Sequence, residues 1–170
     1  MGKSTRRNLS RGQMEPHSVE SVGALVYCSA TKRFLFLLRP GDRRHAKSWG
    51  LVGGKIEAGE TIQQGLVREI QEELSFDASN HKLIPLEKFT STDEQFVYHT
   101  FMITVDAEFC PVLNEEHTGY CWTALDDYPK PLHPGVWRSF SFQVVIDKIA
   151  TIQSVKDRLD KTIQIGRAHV

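Results

Sequence analysis

Gly53-Gly54-Lys55-Ile56-Glu57-Ala58-Gly59-Glu60, followed by Arg68-Glu69-Ile70-Gln71-Glu72-Glu73, decides how this chain is read. The glycine-rich segment reads as a turn that enters a helix. In that helix Glu69, Glu72 and Glu73 stand at i, i+3 and i+4 and are surface neighbours. Like charges at that spacing repel by about 0.2–0.5 kcal/mol per pair in an isolated helix. A divalent cation reverses the sign of that interaction. Hard cations such as Mg²⁺ bind through carboxylate oxygens and commonly bridge to substrate phosphates.

Local signals set the helix limits. Thr61 is an N-cap, and Gln64 three residues on completes a capping box. Ile62, Leu66, Ile70 and Leu74 recur every four residues as a core stripe that Val67 widens. Glu69 and Glu73 flank the stripe, where a helix meets the surface.

Upstream, Val22 to Cys28 and Phe34 to Leu38 are apolar and strand-like, joined by a polar link that predicts a hairpin. Arg39 to Lys47 is a loop rich in Arg39, Arg43, Arg44, His45 and Lys47 against Asp42 alone. It reads as an electropositive rim for phosphates, or as an ordinary solvated loop. Trp49 to Val52 reads as a short strand feeding the glycines. Downstream, Leu83–Ser91 and Gln95–Val105 predict a second hairpin across Thr92-Asp93-Glu94. Phe96, Tyr98, Thr100 and Met102 alternate there with Val97, His99, Phe101 and Ile103. Gly119–Ala124 predicts another strand, and Val136 to about Gln153 an amphipathic helix that packs on the sheet.

With 170 residues, 40% hydrophobic and 25% charged, the chain fits one domain with a sizeable core. We expect a disordered basic tail over 1–18, the domain over 19–158 and a C-terminal tail over 159–170. Within that tail, 165–170 match the translated start of a sequencing adapter and are set aside. Lysine plus arginine equals aspartate plus glutamate at 21 each. That balance counts against a nucleic-acid or anionic-membrane surface. Cys28, Cys110 and Cys121 lack C-x-x-C spacing and read as buried, reduced thiols of a cytoplasmic protein. No apolar run is long enough to span a bilayer.

The glycines form neither a P-loop nor a dinucleotide fingerprint, since no G-K-[S/T] follows a glycine after four intervening residues and G-x-G-x-x-G is absent. A phosphate cannot sit against three glutamates without intervening cations. The chemistry this arrangement supports is metal-assisted displacement at phosphorus, with a carboxylate as general base.

The full spacing, from Gly54 through Glu60, Arg68-Glu69, Ile70 and Glu72-Glu73 to Phe76, resembles the Nudix box GX5EX7REUXEEXGU. One fixed position departs: Ser75 stands where the family has glycine. Trp49 through Glu57 is similar to the MutT-like form of the box. The resemblance implies an α/β (α+β) Nudix fold, a mixed β-sheet sandwiched between α-helices. It implies hydrolysis of a nucleoside diphosphate linked to another group, X. It also implies Glu69, Glu72, Glu73 and the Gly53 carbonyl as ligands of Mg²⁺ (Mn²⁺ being the other choice), with Glu69 an alternative base. Arg68 is then expected to pair with Glu60, itself a catalytic candidate, and Glu116 is expected to be a late ligand with Glu115 its rival.

Arg39, Arg43, Arg44, Lys55 and Trp49 are the substrate-binding candidates. Phe34, Phe36, Tyr98, Phe101 and Trp122 are base-stacking or core residues. The substrate is expected to be a small nucleotide, either a (deoxy)nucleoside triphosphate or a nucleotide sugar such as ADP-ribose or a GDP-sugar. Many relatives are dimers, so a homodimer is open. Two rival readings are a non-catalytic nucleotide sensor on the same fold and a protein acting on RNA 5′ ends. A chain ending at Gln164 is expected to match the full chain in melting temperature and turnover; loss of either overturns the exclusion of 165–170.

Overall fold

The computed structural model describes residues 18–169, so the expected basic tail, apart from Ser18, lies outside the described residues. The elements in chain order are β1 (Val19–Cys28), β2 (Arg33–Leu38), β3 (Trp49–Gly50), β4 (Val52–Lys55) and α1 (Ile62–Leu74). There follow β5 (Ile84–Thr90), β6 (Phe96–Val105), β7 (Gly119–Thr123), α2 (Pro134–Phe140) and α3 (Gln143–Ala168). The sheet runs β3-β2-β1-β6-β5, with β4 also paired to β1 and β7 to β2. It is mixed because β1 and β6 are parallel while the other pairs are antiparallel. Both expected hairpins form.

Alternation along the strands gives the sheet two apolar faces. On one, Val22, Ala24, Val26, Phe101 and Ile103 meet Leu66, Ile70 and Leu74 of α1. On the other, Leu25, Tyr27, Phe36 and Met102 meet Val136 of α2 and Val145 and Ile149 of α3. The fold is therefore an α/β/α sandwich in the α+β class, as the resemblance to the Nudix box implies.

The α1 stripe forms as expected, with Ile62 and Val67 partly buried beside it. Both halves of the capping box are made: the Gln64 N–H donates to Thr61 Oγ1 at 3.1 Å, and the Thr61 N–H to Gln64 Oε1 at 2.9 Å. Ser75 ends the helix in the left-handed region, φ 53° and ψ 40°, and its N–H reaches the Gln71 carbonyl. The cap that glycine would make is kept, at the cost of a Cβ in a conformation that favours glycine.

Three expectations need correction. Trp49–Val52 is not one strand: β3 pairs with β2 and β4 with β1, with Leu51 between them. Gly53 and Gly54 are not a turn but the middle of β4, opposite Gly23 and Val22. The chain reverses later, where Gly59 sits at φ 83°. The C-terminal helix is broken at Ser141 and Phe142. Ser141 Oγ donates to the Arg138 carbonyl at 2.5 Å, competing with the backbone ladder, and Phe142 is extended. Beyond the break α3 continues to Ala168, through residues expected as tail, supported by pairs such as Lys156–Asp160 at 2.9 Å. No described helix is long and apolar enough to cross a membrane.

Ser75→Gly is expected to stabilise the protein by about 1 kcal/mol, raising the melting temperature by about 2–4 °C. Thermal unfolding checks this; an unchanged or lower melting temperature contradicts the strain at Ser75.

Candidate active site

A cleft of about 1010 Å³ is lined by β1, β4, β5, β6, α1, α2 and the Arg39–His45 loop. At one end α1 meets β4. The apolar stripe anchors α1 against the sheet, and the same packing carries Glu69 and Glu73 inward until both are buried. Glycine at 54 makes this possible, because a Cβ there would run into the Glu69 carboxylate. Gly53, at φ 154°, donates its N–H to Glu73 Oε2 at 2.7 Å.

Oxygens of Glu69, Glu73 and Glu116 all lie within 4.8 Å of one another. Glu116 comes from the loop before β7; its N–H donates to Asn114 Oδ1 at 3.0 Å, which holds the local turn. Its rival Glu115 belongs neither to this cluster nor to the cleft lining. Glu72 lines the cleft but stays outside the cluster, exposed and 3.2 Å from Arg68 Nη1.

Arg68 binds the acidic segment together. Its Nε is 2.5 Å from Glu60 Oε1, its Nη1 3.1 Å from Glu69 Oε1, and its Nη2 donates to the Lys55 carbonyl at 3.0 Å. The expected Arg68–Glu60 pair is therefore made. Glu60 itself is absent from the cleft lining, and Arg68 holds its carboxyl below the ordinary range.

The other candidates divide. Arg39, Arg43, Arg44 and Lys55 line the cleft. Trp49 does not; it packs against the core on the α2 side, with its N–H on the Pro131 carbonyl. Of the five aromatics considered, Tyr98 lines the cleft, while Phe34, Phe36, Phe101 and Trp122 are buried in the core. Sequence reasoning missed His117, whose buried Nδ1 is 3.7 Å from Glu73 Oε1 and has no hydrogen-bond partner among the described residues. Burial pushes this imidazole down to about 4, so it is neutral near pH 7. Its position directly after Glu116 was the available signal. Glu87, Phe89 and Arg138 were also missed, and nothing local marks them.

Burial pushes Glu73 up to about 9; the Gly53 N–H opposes the shift, and Glu116 and Glu69 add to it. Glu69 is raised too, first by burial, against the pull of Arg68. Three hard oxygen donors, two of them buried and resisting ionisation, fit a divalent cation.

The sign of the pH effect follows. Below the ordinary value of 4.5 Glu73 is protonated in both the folded and unfolded chain. Above it the unfolded chain ionises while the folded one keeps its proton, so cation-free stability falls by up to about 1.4 kcal/mol per pH unit. The loss is complete once pH passes the folded value. Glu73→Gln escapes this loss. In a chelator, denaturant unfolding should show the variant gaining on the native chain from about pH 5 to about pH 8. A difference that stays flat across that range contradicts the burial argument.

The NUDIX domain family matches residues 17–142. Dihydroneopterin triphosphate diphosphatase of Haemophilus influenzae is 29% identical over 126 residues, covering 65% of this chain and 77% of that protein. A putative 8-oxo-dGTP diphosphatase 3 of Mycobacterium tuberculosis is also 29% identical, over 69% of this chain and 58% of its own length. Among solved structures, a MutT NUDIX hydrolase from Burkholderia pseudomallei superposes with a TM-score of 0.55 at 25% identity, over 70% of this chain and 92% of that one. A Nudix hydrolase from M. smegmatis, RenU, shares the fold with a TM-score of 0.65 at 21% identity, over 81% and 88%. Nudix hydrolases generally use a divalent metal, and the converging carboxylates are a suitable donor set. The match over most of the chain, the box on α1 and the shared fold together make this chain a member of the Nudix family, the Nudix-type hydrolases acting on acid anhydrides.

Proposed function

We propose that this chain is a Mg²⁺-dependent (or Mn²⁺-dependent) diphosphohydrolase that cuts the phosphoanhydride of a nucleoside diphosphate linked to a further group. A nucleoside triphosphate is the first choice and a nucleotide sugar the second. One observation carries the reading: the cleft holds three converging carboxylates, and Arg39, Arg43 and Arg44 line the same cavity. That pairs a cation site with an anion-attracting wall. The relatives named for dihydroneopterin triphosphate and 8-oxo-dGTP support a triphosphate substrate.

Glu69, Glu73 and Glu116 hold the cation in this proposal, with Glu72 reaching it after release from Arg68 and the Gly53 carbonyl adding a backbone donor. The bound cation neutralises phosphate charge and acidifies water. The chain's own groups do the rest. The Gly53 N–H fixes one oxygen of Glu73, and Arg68 fixes Glu69 through a guanidinium that Glu60 and the Lys55 carbonyl hold in place. Water attacks phosphorus, its proton passes to a carboxylate, which we assign to Glu69, and the bridging oxygen leaves with the departing phosphate. The arginine loop neutralises the charge on the departing group.

The test is turnover of a nucleotide panel with Mg²⁺, following phosphate or pyrophosphate release. Glu73→Gln and Glu116→Gln are each expected to lose at least about 10²-fold in kcat, with the fold intact by circular dichroism. A panel with no turnover, or a Glu73→Gln variant of full activity, overturns the proposal.

A further inference from the structure

The far wall of the cleft is built by β5, β6 and α2, away from the box. Along β6, Phe96, Tyr98 and Thr100 share the face that carries Met102. The pairings Phe89↔Tyr98 and Glu87↔Thr100 place Phe89 and Glu87 on that same face. By simple alternation Glu87 would oppose its neighbour Leu86, which is buried on the α2 side. The register shift between Pro85 and Glu87 changes this, turning Glu87 into the cleft. Bulges that re-aim a side chain are concentrated next to active sites.

Glu87 Oε1 accepts from Arg138 Nη2 at 2.9 Å and from Ser139 Oγ at 2.8 Å, both on α2. Oε2 has no hydrogen-bond partner among the described residues, and Glu87 lines the cleft. Arg138 sits over the Phe89 ring, its guanidinium carbon 3.9 Å from the ring centroid, and uses one of its nitrogens on Glu87. Phe96, more than a third exposed, and Tyr98 extend the aromatic surface, with ring centroids 6.2 Å apart. The wall thus offers aromatic faces beside an adjacent fixed donor and acceptor.

We propose that this wall is the subsite for the substrate's ring and that it selects a lactam edge, a ring C=O next to a ring N–H. Arg138 donates to the carbonyl and Glu87 Oε2 accepts from the N–H, while the ring stacks against Phe96 and Tyr98. Guanine, hypoxanthine, uracil and thymine present that edge. Adenine and cytosine present the reverse, an amino donor beside a bare ring nitrogen, and leave both protein groups mismatched. Reading an edge by hydrogen bonds while stacking its faces is how extruded bases are recognised elsewhere. Sites built this way reject mismatched rings because buried polar groups are left unpaired.

The inference rests on the proposed nucleotide reading, and its test separates the two. Steady-state kcat/KM is measured for dGTP, dITP, dATP and dCTP with Mg²⁺, on the native chain and on Glu87→Gln. The native chain is expected to favour the lactam pair by at least about tenfold. The variant is expected to lose that preference, because an amide donates as well as accepts. Equal native rates, or a variant that slows every substrate by one common factor, overturn the subsite; the common factor would mark the Glu87–Arg138 pair as a brace for α2. Calorimetric titration with GMP and AMP needs no turnover. If no nucleotide is hydrolysed, the proposed function falls while tighter GMP binding that is lost in Glu87→Gln still upholds the subsite. Equal binding of the two overturns it.

Discussion

Glu73 is the constraint from which the rest of the site follows. A carboxylate exposed by only 2% is expensive to ionise, and among the described residues the donor that favours its charge is the Gly53 N–H. That hydrogen bond exists because β4 pairs antiparallel with β1 and brings the glycines beside α1. A Cβ at Gly53 would meet the Val22 backbone, and one at Gly54 would meet the Glu69 carboxylate. The two glycines therefore serve different neighbours. The first lets one strand approach another, and the second leaves room for an acid. Both put carboxylates where solvent cannot stabilise their charge and a cation can.

Arg68 addresses the complementary problem on the wet side of α1. Four glutamates, Glu57, Glu60, Glu69 and Glu72, lie within 4 Å of its guanidinium nitrogens. Each exposed pair alone is worth little. The planar fork bonded to Glu60 and to the Lys55 carbonyl is different in kind, because it fixes geometry. It ties the loop after β4 to α1 and holds Glu69 at the margin between bulk water and the buried cluster. The acidic helix thus divides into members that are neutralised locally and members left without a counter-charge; the latter, Glu69 only in part, converge with Glu116.

What the sequence disclosed follows the same division. Features set by local geometry were legible: the capping box, the four-residue stripe and the hairpins; the Arg68–Glu60 pair and the nearness of Glu116 to the acidic helix were implied only by the resemblance to the Nudix box. Features set by distant pairing were not legible. The strand read at Trp49–Val52 gives no sign of continuing through Gly53 and Gly54, since glycine is a poor strand former and only pairing with β1 explains it. Trp49 resembled a substrate contact because of where it stands in the box, but β3 pairs with β2 and carries it to the core. The break at Ser141 depends on a side chain competing for a carbonyl, which periodicity does not register. Glu87 reaches the cleft only through a bulge, so strict alternation assigns it to the wrong face.

This division has a consequence for specificity. The end of the cleft made by α1 and β4 is written in one contiguous segment, where a few spacings suffice to place the acids. The opposite wall depends on the register of β5 against β6 and on how α2 docks over Phe89, set by residues from 84 to 139 that share no motif. A change of one residue in that register would flip Glu87 and Phe89 to the other face while leaving the acidic end untouched. Chains with the same box can therefore hold different rings, and the box alone is silent about the ring. On the proposed reading, the choice of ring in this chain is set by the bulge and by the pair it aims, Glu87 with Arg138.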